Sequence, residues 1–296
     1  MTEATATPTA TPLASFRSKV APDWCPGCGD YGVLSALQKA ASNSGIQPKD
    51  LMVVSGIGCS SNLPGFIRSY GFHSLHGRGI AVATGMKLGN PDLTVVSTGG
   101  DGDGFGIGVG HFIHAMRRNV NITYIVMNNQ IYGLTTGQAS PTTSRMHKTK
   151  STPQGNLEFP FNPEGVALMA GASFVSRGFS GDGAGLTKIM ERAIQHKGFS
   201  LVVVMSPCVT YNKLNTYSFF RDKVYKLEDE GHDVNNFELA LKKSMEWENR
   251  IPTGVFYQVD KPVYEEVEAA YEFGSPAKQK LGLKAEDWNV LYDSFR

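Results

Sequence analysis

Four cysteines are the residues of this sequence best suited to chemistry. Cys25 and Cys28 form a C-x-x-C pair in "WCPGCGD", Cys59 lies in "GIGCSS", and Cys208 lies in "SPC". Four cysteines in a chain of 296 residues argue against a disulfide framework and favour metal or cluster ligation, or plain burial. Four thiolates that meet at one site suit a [4Fe-4S] cluster or zinc.

A second candidate site lies in the glycine-rich stretch "STGGDGDGFGIG" at 97–108. Its glycines let the backbone approach a ligand closely, and the helix that it opens offers N–H groups to a phosphate. Asp101 and Asp103 lie in the same loop, and their charges would repel a phosphate unless a cation lay between them. Mg²⁺ is held by carboxylates together with phosphate oxygens. The loop therefore predicts a magnesium–diphosphate site and not a dinucleotide-binding loop.

A second set of oxygen ligands follows one helix and one strand later, in "MNNQIYG" at 127–133. Asn128 and Asn129 end an apolar run that reads as a strand. The carboxyl ends of neighbouring parallel strands lie at one edge of a sheet, where ligands bind. We therefore expect Asn129 to lie beside Asp101.

The middle of the chain alternates apolar runs with helical stretches, which predicts an α/β fold with a doubly wound, mostly parallel sheet covered on both faces. The predicted strands are 51–54, 93–98, 122–128, 173–177 and 201–206, and the predicted helices are 77–90, 105–119, 163–171 and 184–198. Cys59 and Cys208 both follow strand ends, so the topology can bring them to the edge that carries the glycine-rich loop. The loop 130–162 is too long for a simple connection, which indicates a functional role.

Composition sets the domain organisation and excludes several classes of function. We expect a disordered tail at 1–20, a cofactor-binding domain at 21–208, and an extension at 209–296 that packs on the domain or on a partner subunit. The net charge of +1 gives no basic excess for nucleic acid. The sequence has no apolar run long enough to span a membrane and no secretory signal, which predicts a cytoplasmic protein.

The pattern "GDG" followed by "NN" looks like the thiamine diphosphate motif. Together with "WCPGCGDYGVL", "GIGCSS", "HSLHGRGIAVATGMKL" and "MNNQIYGLTTGQ", it resembles the β subunit of the 2-oxoacid:ferredoxin oxidoreductases over roughly residues 20 to 275. The resemblance implies the thiamine diphosphate-binding fold. It also implies oxidative decarboxylation of a 2-oxoacid to acyl-CoA and CO₂, with single electrons passing through a [4Fe-4S] cluster to ferredoxin. Reductive carboxylation is the reverse reaction.

The same resemblance assigns residues to each group. Asp101, Asn129 and the Ile131 carbonyl would bind Mg²⁺, and Cys25, Cys28, Cys59 and Cys208 would bind the cluster. His76, His73 and Leu134 are the candidate catalytic residues. The expected contacts to thiamine diphosphate and its metal are Ile57, Gly58, Cys59, Ser60, His76, Gly100, Asp101, Gly102, Asp103, Asn129, Ile131, Gly133, Leu134 and Thr135.

The chain offers only one thiamine-type domain. The resemblance implies that an α subunit, or a fused γ–α chain, supplies the pyrimidine-binding domain with its activating Glu and contacts to coenzyme A, in an (αβ)₂ assembly. Pyruvate-specific relatives tend to have Asn at the position of Leu134, which favours 2-oxoglutarate. Candidates for binding its distal carboxylate are Arg68, Arg78, Arg145, Lys148 and Lys150.

Other functions remain open at this point. The substrate could instead be pyruvate or a broad range of 2-oxoacids. The chain could also belong to another class of thiamine enzyme, although these usually carry both thiamine domains on one longer chain. A third candidate is a thiamine-binding subunit without redox function, stabilised by zinc.

Overall fold

A single mixed sheet forms the centre of the protein. The computed structural model describes residues 10–279, 282 and 285–295. Within these residues the strands are β1 Leu51–Ser55, β2 Tyr70–His73, β3 Thr94–Gly100, β4 Thr123–Asn128, β5 Phe174–Phe179, β6 Ser200–Met205, β7 Val224–Lys226 and β8 Ile251–Gln258. Their order across the sheet is β2-β1-β3-β4-β6-β5-β8-β7. Strands β1 to β6 are parallel, β8 is antiparallel to β5, and β7 is parallel to β8.

Helices cover both faces of the sheet, as predicted for a doubly wound fold. In the described residues they are α1 Asp30–Asn43, α2 Leu63–Phe66, α3 Gly79–Gly89, α4 Val109–Arg118, α5 Pro163–Met169, α6 Gly183–Gln195, α7 Tyr217–Arg221, α8 Phe237–Ser244, α9 Tyr264–Val267 and α10 Ala285–Asp293. Helices α1 and α6 contribute to the core on one face, and α3, α4, α5 and α8 to the core on the other.

Burial on both faces explains why the strands are continuously apolar. In β6, Val202 and Val204 belong to one core, whereas Leu201 and Val203 belong to the other. A strand that was exposed on one face would alternate between apolar and polar residues. The apolar runs in the sequence therefore predicted five of the six parallel strands correctly, namely β1, β3, β4, β5 and β6.

The register of the parallel strands brings four loops to one edge of the sheet. Ser55 of β1 pairs with Thr98 of β3, Gly100 of β3 with Met127 of β4, and Asn128 of β4 with Met205 of β6. The loops that follow these four strands therefore begin at similar heights. We call this edge, formed by the loops after β1, β3, β4 and β6, the site edge.

The N-terminal end of the predicted domain division needs correction. Residues 1–9 lie outside the described residues, but residues 10–20 do not form a free tail. Leu13–Phe16 is a 3₁₀ turn, and the Phe16 side chain is fully buried. The backbone of Arg17 forms an isolated antiparallel β-bridge with Ile67. The buried Phe16 ring holds this segment in the core, although its composition, rich in Thr, Ala and Pro, predicted disorder.

Within the predicted extension at 209–296, Val224–Lys226 and Ile251–Gln258 form two strands of the same sheet. Strand β8 pairs with β5, and β7 pairs with β8. No helix within the described part of the chain has the length and apolarity needed to cross a membrane.

Candidate cofactor and cluster site

A cavity opens at the site edge between the loops that follow β1, β3 and β4. It is lined by Ile57, Gly58, Cys59, Ser60, His76, Gly100, Asp101, Gly102, Asp103, Asn129, Ile131, Tyr132, Gly133, Leu134 and Thr135. The strand ends place these residues, because each loop leaves the sheet at the same level.

Asp101 lies at the base of this cavity, where β3 ends. Its side chain is buried, and its Oδ2 accepts hydrogen bonds from Ser140 Oγ at 2.5 Å and Thr142 Oγ1 at 2.6 Å. Burial raises the pKa of the Asp101 carboxyl group, whereas the two hydroxyls and the backbone amides at 101 and 102 oppose that rise. A cation next to this carboxylate would stabilise its charged form further.

Asp103, the second aspartate of the loop, is bound mainly to backbone groups. Its Oδ1 accepts hydrogen bonds from Ile57 N at 2.9 Å and Gly77 N at 2.7 Å, and His76 Nδ1 lies 3.3 Å away. A Cβ at Gly56 would overlap the Asp103 carboxylate. Asp103 therefore joins the loop after β3 to the loop after β1 and to the start of α3.

The turn after β4 presents oxygen atoms beside Asp101. Asn129 Oδ1 accepts a hydrogen bond from Ile131 N at 3.0 Å, and Gln130 between them has a left-handed backbone with φ 59°. Asn212 Nδ2 donates to Asn129 O at 2.9 Å and fixes the turn from the other side. A carboxamide oxygen has two lone pairs, so Asn129 Oδ1 can accept this bond and still bind a cation.

The donor set fits a magnesium ion with a diphosphate. A carboxylate, a carboxamide oxygen and a backbone carbonyl are hard oxygen ligands of the kind that Mg²⁺ prefers. Ser60 Oγ, which lines the same cavity, is buried and has no hydrogen-bond partner. Such an orphaned hydroxyl is costly unless a ligand or water satisfies it, and a diphosphate oxygen would do so.

The loop with Cys25 and Cys28 is tied to the loops that carry the other two cysteines. Trp24 Nε1 donates to Cys59 O at 2.6 Å, and Gly29 N donates to Pro207 O at 3.1 Å. A Cβ at Gly29 would overlap Ser206, so this close approach requires glycine.

The sulfur atoms of Cys59 and Cys208 face a common point beside the cavity. A Cβ built at Gly133 would lie 3.6 Å from Cys59 Sγ and 3.8 Å from Cys208 Sγ. Gly133 also lines the cavity that contains Asp101 and Asn129. Two cysteines far apart in the sequence thus approach each other at the site edge, next to the candidate metal site.

The electrostatics of the thiols reflect this clustering. Burial raises the pKa of Cys59 to about 11, and the charges of Asp30, Cys208 and Cys25 act in the same direction. Burial also raises the pKa of Cys28, with Asp30, Cys208 and Cys59 adding to the rise. These two thiols therefore stay protonated near neutral pH unless a bound cation stabilises the thiolates.

The spacing and the oxidation state of the candidate ligands complete the geometry of the site. Across the described residues, no three His, Cys, Asp or Glu side chains converge closely enough to hold one metal ion. The four cysteines are all free thiols. Four free thiols are a donor set that suits a polynuclear cluster or zinc.

Comparisons with known proteins agree with this geometry. Residues 56–204 match the thiamine pyrophosphate enzyme C-terminal TPP-binding domain, and residues 208–272 match the C-terminal region of the pyruvate ferredoxin oxidoreductase β subunit. A 2-oxoacid:ferredoxin oxidoreductase β subunit from Aeropyrum pernix is 49% identical over 86% of this chain and 83% of its own length. The chain belongs to the 2-oxoacid:ferredoxin oxidoreductase β-subunit family.

Two further relatives have more specific names. The 2-oxoglutarate synthase subunit KorB of Methanocaldococcus jannaschii is 39% identical over 82% of this chain and 90% of its own length. A solved structure of 2-oxoglutarate:ferredoxin oxidoreductase from Magnetococcus marinus, with 2-oxoglutarate, coenzyme A and succinyl-CoA bound, matches with a TM-score of 0.88 and 38% identity. That match covers 98% of this chain and 99% of the other.

In this chain, most of the predicted site residues lie together around the cavity. Every residue expected to contact the diphosphate and its metal lines it. Leu134 lies at the rim with 54% of its side chain exposed, and His73 lies at the exposed end of the edge strand β2. His73 is not among the residues that line the cavity.

The basic residues expected near the substrate differ in position. Arg68 precedes β2 and lines a surface depression with Gln47 and Lys49, which precede β1. It therefore lies at the end of the sheet away from the site edge. Lys150 does reach the rim of the site, because its Nζ donates to Thr136 Oγ1 at 2.7 Å, next to Thr135.

Four residues of the site were missed in the sequence. Tyr132 lines the cavity, its hydroxyl donates to Gly102 O at 3.1 Å, and a Cβ at Gly102 would overlap its ring. Ser140 and Thr142 bind Asp101, and Trp24 binds the Cys59 loop. Trp24 belongs to the motif "WCPGCGD" and Tyr132 to "MNNQIYG". The hydroxyl-rich "SPTT" at 140–143 could have indicated that the long loop contributes to the site.

Proposed function

We propose that this β subunit binds thiamine diphosphate, Mg²⁺ and one [4Fe-4S] cluster. With its partner it would catalyse the coenzyme A-dependent oxidative decarboxylation of 2-oxoglutarate, with ferredoxin as the electron acceptor. The observation that carries the proposal is the position of Gly133. This residue lines the cavity with Asp101 and Asn129, and its Cβ position lies within 4 Å of the sulfurs of Cys59 and Cys208.

Residues of this chain would hold each group. Asp101, Asn129 and the Ile131 carbonyl would bind Mg²⁺, and Ser60 Oγ would donate to the diphosphate. Thiamine diphosphate supplies the electron sink that decarboxylation of a 2-oxoacid requires, and an iron–sulfur cluster accepts electrons one at a time. His76, held beside Asp103, is the candidate to donate a hydrogen bond at the substrate end of the cavity.

The four cysteines would hold the cluster at the side of the cavity. Cys25 is exposed, whereas Cys28, Cys59 and Cys208 are partly buried. Cys25 would therefore mark the edge of the cluster that an external carrier such as ferredoxin can approach. A structural zinc is the alternative, but it would require four sulfurs around one ion at about 2.3 Å.

The choice of 2-oxoglutarate rests on the named relatives and on the rim of the cavity. The KorB relative is a 2-oxoglutarate synthase subunit, and the solved neighbour has 2-oxoglutarate bound. Leu134 lines the rim, and Lys150, which is hydrogen-bonded to Thr136, offers a cation for a distal carboxylate. Broad 2-oxoacid specificity is a second candidate, because relatives of 47% and 49% identity are named only for 2-oxoacids.

The proposal also requires other chains. An α subunit, or a fused γ–α chain, would supply the pyrimidine-binding domain, the activating Glu and contacts to coenzyme A in an (αβ)₂ assembly. Residues 21–208 would form the cofactor-binding unit, with residues 209–296 completing the sheet. Four free thiols suit the reducing cytoplasm.

The proposal is tested by anaerobic co-expression with the α subunit. Reduction of a viologen or of ferredoxin would be followed with 2-oxoglutarate, pyruvate and a branched 2-oxoacid, with and without coenzyme A. We expect coenzyme A-dependent reduction by the two-chain complex, highest with 2-oxoglutarate, and none by this chain alone. Turnover by the β subunit alone, or reduction that needs no 2-oxoacid, would contradict it. Equal rates with all three acids would favour broad specificity.

A further inference from the structure

Residues 140–143, "SPTT", form a turn whose three hydroxyl groups contact the loops that carry the candidate metal ligands. Ser140, Thr142 and Thr143 are each at most 4% exposed. The turn closes on itself through Thr143 N, which donates to Ser140 O at 3.0 Å, and through Ser140 N, which donates to Thr143 Oγ1 at 2.8 Å. We call it the 140–143 turn.

Two of these hydroxyls hold the loop that follows β3. Ser140 Oγ and Thr142 Oγ1 lie 2.5 Å and 2.6 Å from the same atom, Asp101 Oδ2. Thr142 Oγ1 also lies 2.9 Å from Asn128 Oδ1, but its single proton goes to one acceptor, and the charged carboxylate is the stronger one. Neither hydroxyl binds Oδ1 of Asp101.

The third hydroxyl holds the loop that follows β4. Thr143 Oγ1 donates to Gln130 O at 2.7 Å, and Gln130 is the left-handed residue between Asn129 and Ile131. A non-glycine residue in this conformation is strained and persists when its surroundings fix it. Asn156 Nδ2 donates to Thr143 O at 3.0 Å and so also holds the 140–143 turn in place.

The same short turn therefore holds both loops that carry the candidate Mg²⁺ ligands. We propose that the 140–143 turn positions these ligands: Ser140 and Thr142 orient the Asp101 carboxylate, and Thr143 fixes the turn that presents Asn129 and Ile131. This inference rests on the proposed function and assigns a role to the long loop 130–162. Groups that orient metal ligands in this way typically change metal affinity 10–100-fold when they are removed.

The decisive variant is Thr142→Val, which keeps the shape of the side chain and removes its hydroxyl. Thr142→Ser keeps the hydroxyl and should restore binding. Thr187→Val is the matched control, because Thr187 is a similarly buried threonine whose hydroxyl donates to Gly183 O in α6, remote from the site. The variants would be made in the complex with the α subunit and freed of cofactor with a chelator.

Two titrations then report binding without turnover: Mg²⁺ at fixed thiamine diphosphate, and thiamine diphosphate at fixed Mg²⁺, each followed by calorimetry. We expect Thr142→Val to weaken Mg²⁺ binding by about tenfold or more, and Thr142→Ser and Thr187→Val to stay within about twofold of wild type. Melting of the cofactor-free complex shows whether each variant folds. If Thr142→Val does not fold, Ser140→Ala carries the same test, because it removes the other donor to Oδ2.

The outcomes separate this inference from the proposed function. Wild-type affinity in Thr142→Val, or equal weakening in Thr142→Ser, would overturn the positioning role. A wild-type complex that binds no thiamine diphosphate would instead overturn the proposed function itself.

Discussion

Trp24 and Cys59, 35 positions apart in the sequence, are joined by a hydrogen bond of 2.6 Å from the indole Nε1 to the backbone carbonyl oxygen. Trp24 is buried and packs edge-on against Tyr31 and Phe66. Because Trp24 directly precedes Cys25, this bond fixes the C-x-x-C segment relative to the third cysteine. Trp24 thus links the segment that carries Cys25 and Cys28 to the loop that carries Cys59.

Replacing Trp24 by Phe should loosen the cysteine cluster while keeping an aromatic ring in the core. Loss of the hydrogen bond should lower the free energy of unfolding by about 1 kcal/mol. We also expect faster loss of iron under a chelator, followed by the decay of visible absorbance. Trp288→Phe is the control, since Trp288 is 46% exposed in α10. Identical iron loss in both variants would show that the Trp24 bond does not hold the site.

Gly133→Val should prevent the cluster from forming without unfolding the chain. A Cβ at this position already lies within 4 Å of Cys59 Sγ and Cys208 Sγ, so a branched side chain would occupy the space between the thiols. We expect iron per chain to fall by roughly half or more. At Gly110, a Cβ meets nothing within 4 Å, so Gly110→Val controls for the added bulk. Full iron loading of Gly133→Val would place the cluster elsewhere.

Lys150→Met should impair the enzyme selectively for a dicarboxylate. The Lys150 ammonium group lies at the rim of the site, bonded to Thr136. Loss of a charge-assisted hydrogen bond to the distal carboxylate should raise the KM for 2-oxoglutarate about tenfold and leave the KM for pyruvate unchanged. Lys49→Met is the control, because Lys49 is exposed and lies at the end of the sheet away from the site edge. An equal rise for both acids would rule out this role for Lys150.

Acidification should destabilise the protein partly through His196. Its ring lies 2.8 Å from Ser173 Oγ, and burial lowers its pKa, although the Asp260 carboxylate opposes this shift. The unfolded chain therefore binds a proton at a higher pH than the folded protein does. The contribution of the neutral His196 ring to the free energy of unfolding is therefore full above about pH 6.5 and is lost as the pH falls below that value.

The variant His196→Gln tests this pH dependence. Glutamine does not titrate, so the melting temperature of the variant should fall less than that of wild type between about pH 7.5 and pH 5.5. An unchanged pH dependence in the variant would mean that other groups control the acid sensitivity.

The sequence was sufficient to predict the five central parallel strands and the loops that follow them. Apolar runs are distinctive when both faces of a sheet are covered, and parallel strands bring their carboxyl ends to one edge. Asp101, Asn129 and Cys59 could therefore be assigned to one edge from the sequence alone. Helix α1 gave no start signal, because Gly29 precedes it and no side chain caps it.

What the sequence could not predict lies in edge strands and irregular loops. Strand β2 is short and exposed throughout, so it lacks the apolar pattern that marks the central strands. The contacts of Ser140 and Thr142 with Asp101 depend on the path of a long loop without periodicity. Arg68 could be excluded from the site only once the pairing of β2 with β1 was known. Residues that precede a parallel strand lie at the end of the sheet opposite the site edge.

The most direct test of the central claim is the cofactor content of the β subunit, purified anaerobically with its α partner. Iron, acid-labile sulfide, zinc and thiamine diphosphate would be measured per chain in the same sample. A thiamine site beside a four-cysteine cluster predicts about four irons, four sulfides and one thiamine diphosphate per β subunit. Zinc in place of iron, or thiamine diphosphate without iron after reconstitution, would contradict it.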